Sequence, residues 1–410
     1  MSTLKETLER LYGLVPLGPK LGLERMQAAC TAMGDPQRAF EVVHVAGTNG
    51  KGSVCAFTAS MLRQGKLGPI GMFTSPHLNR FAERIQIDGA PLKDEQLVLL
   101  INRVMDTAPD LTFFEVTTLV AFLAFKEAGV KIAVLEVGLG GRLDATNVIP
   151  PPRIAAITRI AFDHMAELGG TLRKIAAEKA GIIKPGTKVV LGKLHPDARE
   201  VIEARVKEVG AEIIPTGSAE PYPGAQLAYP RMALFGTNLA VATTIARELG
   251  VADEPLAAGL EDTVWPGRNE LLHRNGKELT LLDCCHNPDG SLLLGHVIDA
   301  TSAETVGNRR GVVLVFGASN DKNWKAMLAR LDGCASHRIY VKPEVSRAAD
   351  PEDLAAIYPG EVAHSIADAL KRARAHVGPR GLVVVTGSIF LVGPARAILL
   401  GLPTDPPVGM

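Results

Sequence analysis

The stretch "HVAGTNGKGSVCAF", residues 44 to 57, decides how the rest of the chain is read. It approximates the phosphate-loop pattern G-x-x-x-x-G-K-[ST], in which lysine meets phosphate and a hydroxyl meets magnesium. Gly50 and Lys51 fit, but Val45 stands at the first glycine and Gly52 at the hydroxyl, and Ser53 comes one residue late. The context is still that of a phosphate loop. "FEVVHVAG" predicts a buried strand, "KGSVCAFTASMLRQG" predicts a helix, and "GTNGKGS" lies between them. Backbone N–H groups at a helix N-terminus favour an anion there, and Lys51 adds a point charge. A glycine-rich turn with a solvated lysine is the plainer alternative, and it leaves that context unexplained.

Outward from the loop the chain alternates short β-branched runs with longer helical patterns, as a parallel sheet covered by helices requires. "PIGMFTS", "KIAVLEVG", "RIAAITRI" and "TKVVLG" read as strands. "EVTTLVAFLAFKEAG" and "AREVIEARVKEVG" read as helices, as does "TLRKIAAEKAGII", stopped by Pro185-Gly186. A loop-rich segment, "PTGSAEPYPGAQLAYPR", interrupts the pattern before "NLAVATTIARELG" returns to helix. "DTVWPGRNELL" reads as a connector, because Pro-Gly breaks both helix and strand. The alternation then restarts with "ELTLLDCC", "RRGVVLVFG", "HRIYVKP" and "GLVVVTG". A chain of 410 residues exceeds one ordinary core. Two domains are expected, 1–267 and 268–410.

Composition narrows the function classes. Hydrophobic residues make up 47% and charged residues 21%, which is globular. Lys plus Arg and Asp plus Glu both total 44, so net charge gives no general pull toward nucleic acid or an anionic membrane. The five cysteines are scattered and form no C-x-x-C pair, which predicts free thiols in a reducing compartment. "MSTLKETLERLYGL" lacks a secretory apolar block, and no apolar run is long enough to span a bilayer. A soluble, cytoplasmic protein is expected.

Other polar residues cluster where predicted strands end, the place where open α/β sheets bind ligands. In "LEVGLGGRLDATN", Glu136 closes an apolar strand, within reach of a metal. Arg142 and Asp144 in the same turn read equally as an ordinary salt bridge. Asp163-His164 follows another strand, so His164 is a metal candidate on a par with a structural histidine. On the residues alone, Lys179 reads as a solvated helix lysine. "LLDCCHNPDG", "VFGASNDKNW" and "VVVTGSIFLVG" outline a second crevice, with Cys284-Cys285 as core packing. The absence of a G-x-S-x-G elbow disfavours a Ser-His-Asp hydrolase.

Taken together, the motifs resemble the Mur ligase superfamily and, within it, the dihydrofolate synthase/folylpolyglutamate synthase family. The matching stretches are "GTNGKGS", "TSPHL", "FFEVTT", "EVGLGGRLDATN", "FDH", "AEKAGIIKPG", "PGR", "DCCHNP", "FGASNDK" and "TGS", in family order across nearly the whole chain. The resemblance implies a P-loop-type α/β domain with helices on both faces of a parallel sheet, plus a smaller Rossmann-like C-terminal α/β domain. It also implies an ATP-dependent ligase that joins L-glutamate to dihydropteroate or to the glutamate tail of a reduced folate. ATP would phosphorylate the carboxylate and glutamate would attack the acyl phosphate.

Carried over residue by residue, the resemblance implies that Gly47, Thr48, Asn49, Gly50, Lys51, Gly52 and Ser53 hold the triphosphate. Ser75, Glu136, His164 and a carbamylated Lys179 would hold magnesium, two ions in all. Lys51, Lys179 and His164 are the implied catalytic residues. Arg268 and Asp283 match nucleotide contacts, while His286 and Ser388 match positions for the incoming glutamate. Leu21 and Gly22 of "KLGLERM", Thr112, and Leu143, Asp144 and Ala145 match the pterin pocket. Departures from the family pattern fall in "FGTNLAVATT", where Asn238 is the adenine contact chosen, and at Cys285, where alanine is usual. A monomer is expected, with no nucleic-acid or membrane partner.

Two other readings compete. A cell-wall Mur ligase acting on a UDP-muramyl acceptor is disfavoured by "GKGS", where those enzymes carry G-K-T-T, and by "TSPHL". A nucleotide-binding protein without ligase chemistry would not need Lys51, Glu136, His164 and Lys179 together.

Overall fold

The β-branched runs become two sheets in the computed structural model, which describes residues 2–15, 22–217, 236–273, 279–305, 311–377 and 381–406. The first sheet has eight strands: β1 (Glu41–Ala46), β2 (Ile70–Phe73), β3 (Ile85–Ile87), β4 (Ala90–Pro91), β5 (Ile132–Glu136), β6 (Ile154–Ile157), β7 (Lys188–Leu191) and β8 (Glu212–Ile214). Their order is β4-β3-β2-β5-β1-β6-β7-β8. Six run parallel; β3 and β4 join one edge antiparallel, so the sheet is mixed where a parallel one was expected. Residues 74–84 join β2 to β3 and only Asp88-Gly89 joins β3 to β4, both shorter than the dozen or more residues that a parallel crossover takes. Val43, Val45, Val134, Ala155 and Ile157 are fully buried, as in a sheet covered on both faces.

Helix Leu172–Ala180 ends at Gly181, earlier than Pro185-Gly186 suggested. A Cβ on Gly181 would sit 2.3 Å from the Cβ of Arg142, so only glycine admits the neighbouring turn there. The same helix and helix Pro196–Val209 share an apolar cluster with alternate residues of β6 and β7. Helix Lys51–Gln64 packs on β1, β2 and β5 and on helix Gly236–Glu248. Of the loop-rich "PTGSAEPYPGAQLAYPR", residues 218–231 lie outside the described residues.

The second sheet comprises β9 (Glu270–His273), β10 (Leu279–Asp283), β11 (Val312–Phe316), β12 (His337–Tyr340), β13 (Glu361–Val362) and β14 (Leu382–Thr386), in the order β13-β12-β11-β14-β10-β9. All pair parallel except β9, which lies antiparallel on β10. The end of the expected connector, "ELL", is therefore strand. Successive residues of the central strands bury on opposite faces: Leu281, Leu314 and Val384 in one cluster, Leu282, Val313 and Val385 in the other. The described chain divides into two compact units, one reaching Val264 and the other starting at Trp265 and including Leu78–Arg80. All five cysteines are free and buried. Among the described residues, no helix is long and apolar enough to cross a membrane.

Candidate active site

Strand β1 is the switch point of the first sheet: the chain leaves it for β2 and β5 on one side and returns to β6 and β7 on the other. Loops leaving neighbouring strands in opposite directions open a crevice at their carboxyl ends. Gly47–Gly50 occupies that crevice between β1 and helix Lys51–Gln64. Gly50 has φ 90°, and a Cβ there would lie 2.4 Å from the Asn238 side-chain oxygen. A Cβ on Gly47 would meet the Thr158 hydroxyl at 1.9 Å. The loop is thus built at the closest approach its neighbours permit, and Asn238 lies directly against it.

The β6 loop holds the phosphate loop in place. Thr48 N donates to the Arg159 carbonyl at 2.6 Å, and the Thr48 hydroxyl bonds both the carbonyl and the N–H of Ala161 at 3.1 Å. The Thr158 hydroxyl donates to the Asn49 carbonyl at 2.8 Å. Thr158 was missed in the sequence; its only signal was a hydroxyl at the end of "RIAAIT". Ser53 is buried in the first turn of the helix, and Gly52 lies beside it.

Glu136 ends β5 with only 5% of its surface exposed. One carboxylate oxygen accepts from Ser75 N at 2.9 Å and the other lies 3.8 Å from Lys51 Nζ. Lys51 Nζ also reaches the Thr48 carbonyl at 3.4 Å. Lys179 is 4% exposed and donates from Nζ to the Gly47 carbonyl at 2.9 Å. Burial, and then the charge of Lys51, push its pKa down to about 7, against attraction from Asp163 and Asp144. The solvated lysine expected from residues alone is therefore a buried one. Ser75, Glu136, Lys51, Gly47, Lys179 and Asn238 converge.

Asp144 makes no ion pair with Arg142, which instead bonds Glu178 at 2.9 Å. Its carboxylate is buried and accepts from Leu139 N and Thr146 N at 2.9 Å and from the Thr146 hydroxyl at 2.5 Å. Burial outweighs those bonds and raises its pKa. Thr146 accepts in turn from His44, whose ring lies 2.8 Å away. Burial lowers the His44 pKa to about 3, so it is a neutral donor. The turn packs on helices Glu24–Ala32 and Phe113–Glu127, which brings Gly22, Thr112, Leu143, Asp144 and Ala145 into one region. Thr112 caps the second helix, its hydroxyl accepting from Glu115 N at 3.4 Å. Leu21 lies outside the described residues.

His164 stands at the start of a four-residue helix with φ 49° and its side chain 44% exposed, its ring 3.9 Å from Asp163 and 4.0 Å from Glu167. Sequence reasoning also overlooked Arg84. It is 2% exposed, lies over the rings of Phe81 and Phe113 at 5.7 and 5.2 Å, and donates from Nε to His77 Nδ1 at 2.8 Å. Burial lowers its pKa to about 10, while Tyr12, Glu136 and Glu83 hold its charge in place. A cation inside an apolar "FAERIQI" was the available signal.

In the second unit, Asp283 ends β10 and accepts from Asn269 N at 2.9 Å and Cys285 N at 2.8 Å. Burial raises its pKa, and neighbouring Arg268 opposes the rise. His286 Nδ1 is 3.0 Å from the Cys284 carbonyl and so donates to it. Ser388, 4% exposed, caps helix Ile389–Leu400. Both stand at the carboxyl ends of the adjacent strands β10 and β14. Cys285 packs its thiol 3.1 Å from the Thr386 hydroxyl.

A phosphate loop at a switch point, a buried carboxylate beside its lysine, and a second parallel α/β unit define a Mur-ligase-type fold. Residues 45–224 match the Mur ligase middle domain and residues 267–389 the Mur ligase glutamate ligase domain. The dihydrofolate synthase/folylpolyglutamate synthase of Bacillus subtilis is 34% identical, over 94% of this chain and 96% of its own. Escherichia coli FolC, solved with DHPP and ADP, is 28% identical with a TM-score of 0.85, over 97% of this chain and 98% of its own. The bifunctional Yersinia pestis enzyme complexed with AMPPNP and Mn ion is 30% identical, with a TM-score of 0.83 over 97% and 98% of the two chains. This chain belongs to the dihydrofolate synthase/folylpolyglutamate synthase family.

Proposed function

We propose that the protein uses ATP to join L-glutamate to dihydropteroate and to the glutamate tail of reduced folates, working as a cytoplasmic monomer on these small molecules without nucleic-acid or membrane partners. The observation that carries this is the meeting of Lys51, Glu136 and Lys179 at one phosphate loop. Residues 1–267 bind ATP and pterin; residues 268–410 engage glutamate through His286 and Ser388, with Arg268 and Asp283 contacting the nucleotide.

A carboxylate is a poor electrophile, so it must first acquire a leaving group. Its oxygen attacks the γ-phosphorus of ATP, forming an acyl phosphate and releasing ADP. The amino nitrogen of glutamate then attacks the acyl carbon, and the tetrahedral intermediate expels phosphate as the amine loses its proton. Lys51 and the N–H groups of Gly47–Ser53 offset the negative charge of the transferred group. Glu136, buried and already ordered by Ser75 N, fits a hard divalent cation that prefers oxygen ligands. Ser75, His164 and Lys179 complete the set, and two magnesium ions would supply Lewis-acid neutralisation of the phosphates. An ammonium cannot be a ligand. A carbamate can, and it forms when a neutral amine adds CO2 and loses a proton. A Lys179 pKa near 7 supports this, because the neutral amine is well populated at neutral pH.

The test offers purified protein ATP, magnesium and L-glutamate with dihydropteroate, a reduced folate or a UDP-muramyl acceptor. Glutamate-dependent phosphate release with the pterins is expected. Release with the muramyl substrate alone overturns the proposal.

A further inference from the structure

A second group of metal-ligating side chains lies in the second unit, at the amino ends of its parallel strands and thus at the opposite end of that sheet from Asp283 and Ser388. His337 opens β12, Glu361 opens the edge strand β13, and His376 lies in the last turn of helix Ile366–Val377. His337 Nε2 is 3.3 Å and His376 Nε2 2.7 Å from the same oxygen, Glu361 Oε1. The imidazole rings stack with centroids 4.0 Å apart. All three ligand atoms lie within 4.8 Å of one another.

We propose that His337, Glu361 and His376 form a binding site for a borderline divalent transition metal of the zinc class, separate from the catalytic magnesium site. Two imidazoles and one carboxylate are a donor set that suits zinc and not magnesium, which prefers oxygen. Ligands bound at about 2.0–2.1 Å in a tetrahedron stand about 3.3 Å apart, which matches the His337–Glu361 spacing. The side chain of His376, 2.7 Å from the same oxygen, must open outward by roughly half an ångström to reach that spacing, and at 35% exposure it has room to do so. Water would take the fourth position. Arg372 approaches the other carboxylate oxygen, Oε2, at 3.6 Å, and its charge is offset by Asp368 at 2.9 Å. The oxygen facing the two imidazoles is therefore the one left for the metal. Binding would tie the two-residue strand β13 to β12 and to the end of the helix that packs on them.

The test is titration of untagged, full-length protein with zinc by calorimetry, with excess magnesium and ATP present to fill the catalytic site. Wild type should bind one zinc, and affinity should fall at least about tenfold in His337→Ala, His376→Ala and Glu361→Gln. Zinc should raise the thermal midpoint of wild type and leave that of the variants unchanged. Cobalt in place of zinc should give visible ligand-field absorption only in wild type. Glutamate ligation without zinc should be unaltered in all three, which shows that they are folded. Uptake of no zinc by wild type, or equal uptake by wild type and the variants, overturns the proposal and leaves the cluster as an ion-paired group only.

Discussion

At the scale of single residues, Lys179 carries the sharpest expectations. Lys179→Ala should lower kcat by about 100-fold or more, as expected when a ligand to the metal that neutralises transition-state charge is lost. A short carboxylic acid should restore part of the rate by standing in for the carbamate. Wild-type turnover in that variant would remove Lys179 from the mechanism. Its titration also leaves a mark on stability. The folded pKa of about 7 lies below the ordinary 10.5, so between those values the unfolded chain binds more protons and stability rises with pH. The thermal midpoint of Lys179→Met relative to wild type should therefore decline from pH 7 to pH 10. The lysine's burial was not legible from its own helix, "TLRKIAAEKAGII", where spacing suggests an exposed face. Burial came from a carbonyl at Gly47, far away in the chain. The place of Glu136 at the end of its strand, beside the loop lysine, was legible, because a carboxylate closing an apolar strand faces the crevice at the strand's carboxyl end.

At the scale of elements, the loops work because the pieces around them approach closely. Gly50→Ala would push a methyl group into the Asn238 amide at a positive φ. Such strain costs roughly 1–3 kcal/mol, and the KM for ATP should rise about tenfold; an unchanged KM would separate Asn238 from the nucleotide. Thr112→Ala removes the capping box of helix Phe113–Glu127 and should cost about 1 kcal/mol in denaturant unfolding. Thr112→Ser keeps the cap. A raised KM for pterin in the serine variant, with stability unchanged, would assign Thr112 to the pterin pocket and not to the helix alone. The alternating strands and helices could be read directly from residue periodicity. The early stop at Gly181 could not, since it depends on Arg142 resting against it from another loop.

At the scale of the whole molecule, buried neutral imidazoles set the response to acid. Burial depresses His44 from 6.5 to about 3, and burial followed by Arg84 depresses His77 well below 6.5. Both contribute stability that is present above pH 6.5 and lost as pH falls, at about 1.4 kcal/mol per pH unit for each group. Thermal midpoints should fall below pH 6.5, less steeply in His44→Gln; parallel curves would exclude His44 as a source. The two-unit architecture was visible as an alternation that breaks and restarts, but the mixed edge of the first sheet was not. The exception is Asp88-Gly89, a dipeptide that favours a two-residue hairpin turn and has φ 49° and 82° here, so the β3–β4 pairing did carry a signal; nothing in "FAERIQI" marks the turn back from β2.

The margins of the sheets have a consequence for the protein in concentrated solution. An edge strand offers unpaired N–H and C=O groups to any passing chain. Here one margin of each sheet is only two residues long, β4 with Pro91, which has no N–H to offer, and β13 with the charged Glu361. An incoming strand would gain too few bonds at either to offset its lost freedom. Among the described residues the opposite margin of the first sheet begins with the exposed Glu212 in β8, where a like-charged copy would be repelled, whereas Glu270 in β9 is neutralised by Arg396 at 2.9 Å. Growth by accretion of further molecules is thus resisted at both margins of the first sheet and at the β13 margin of the second.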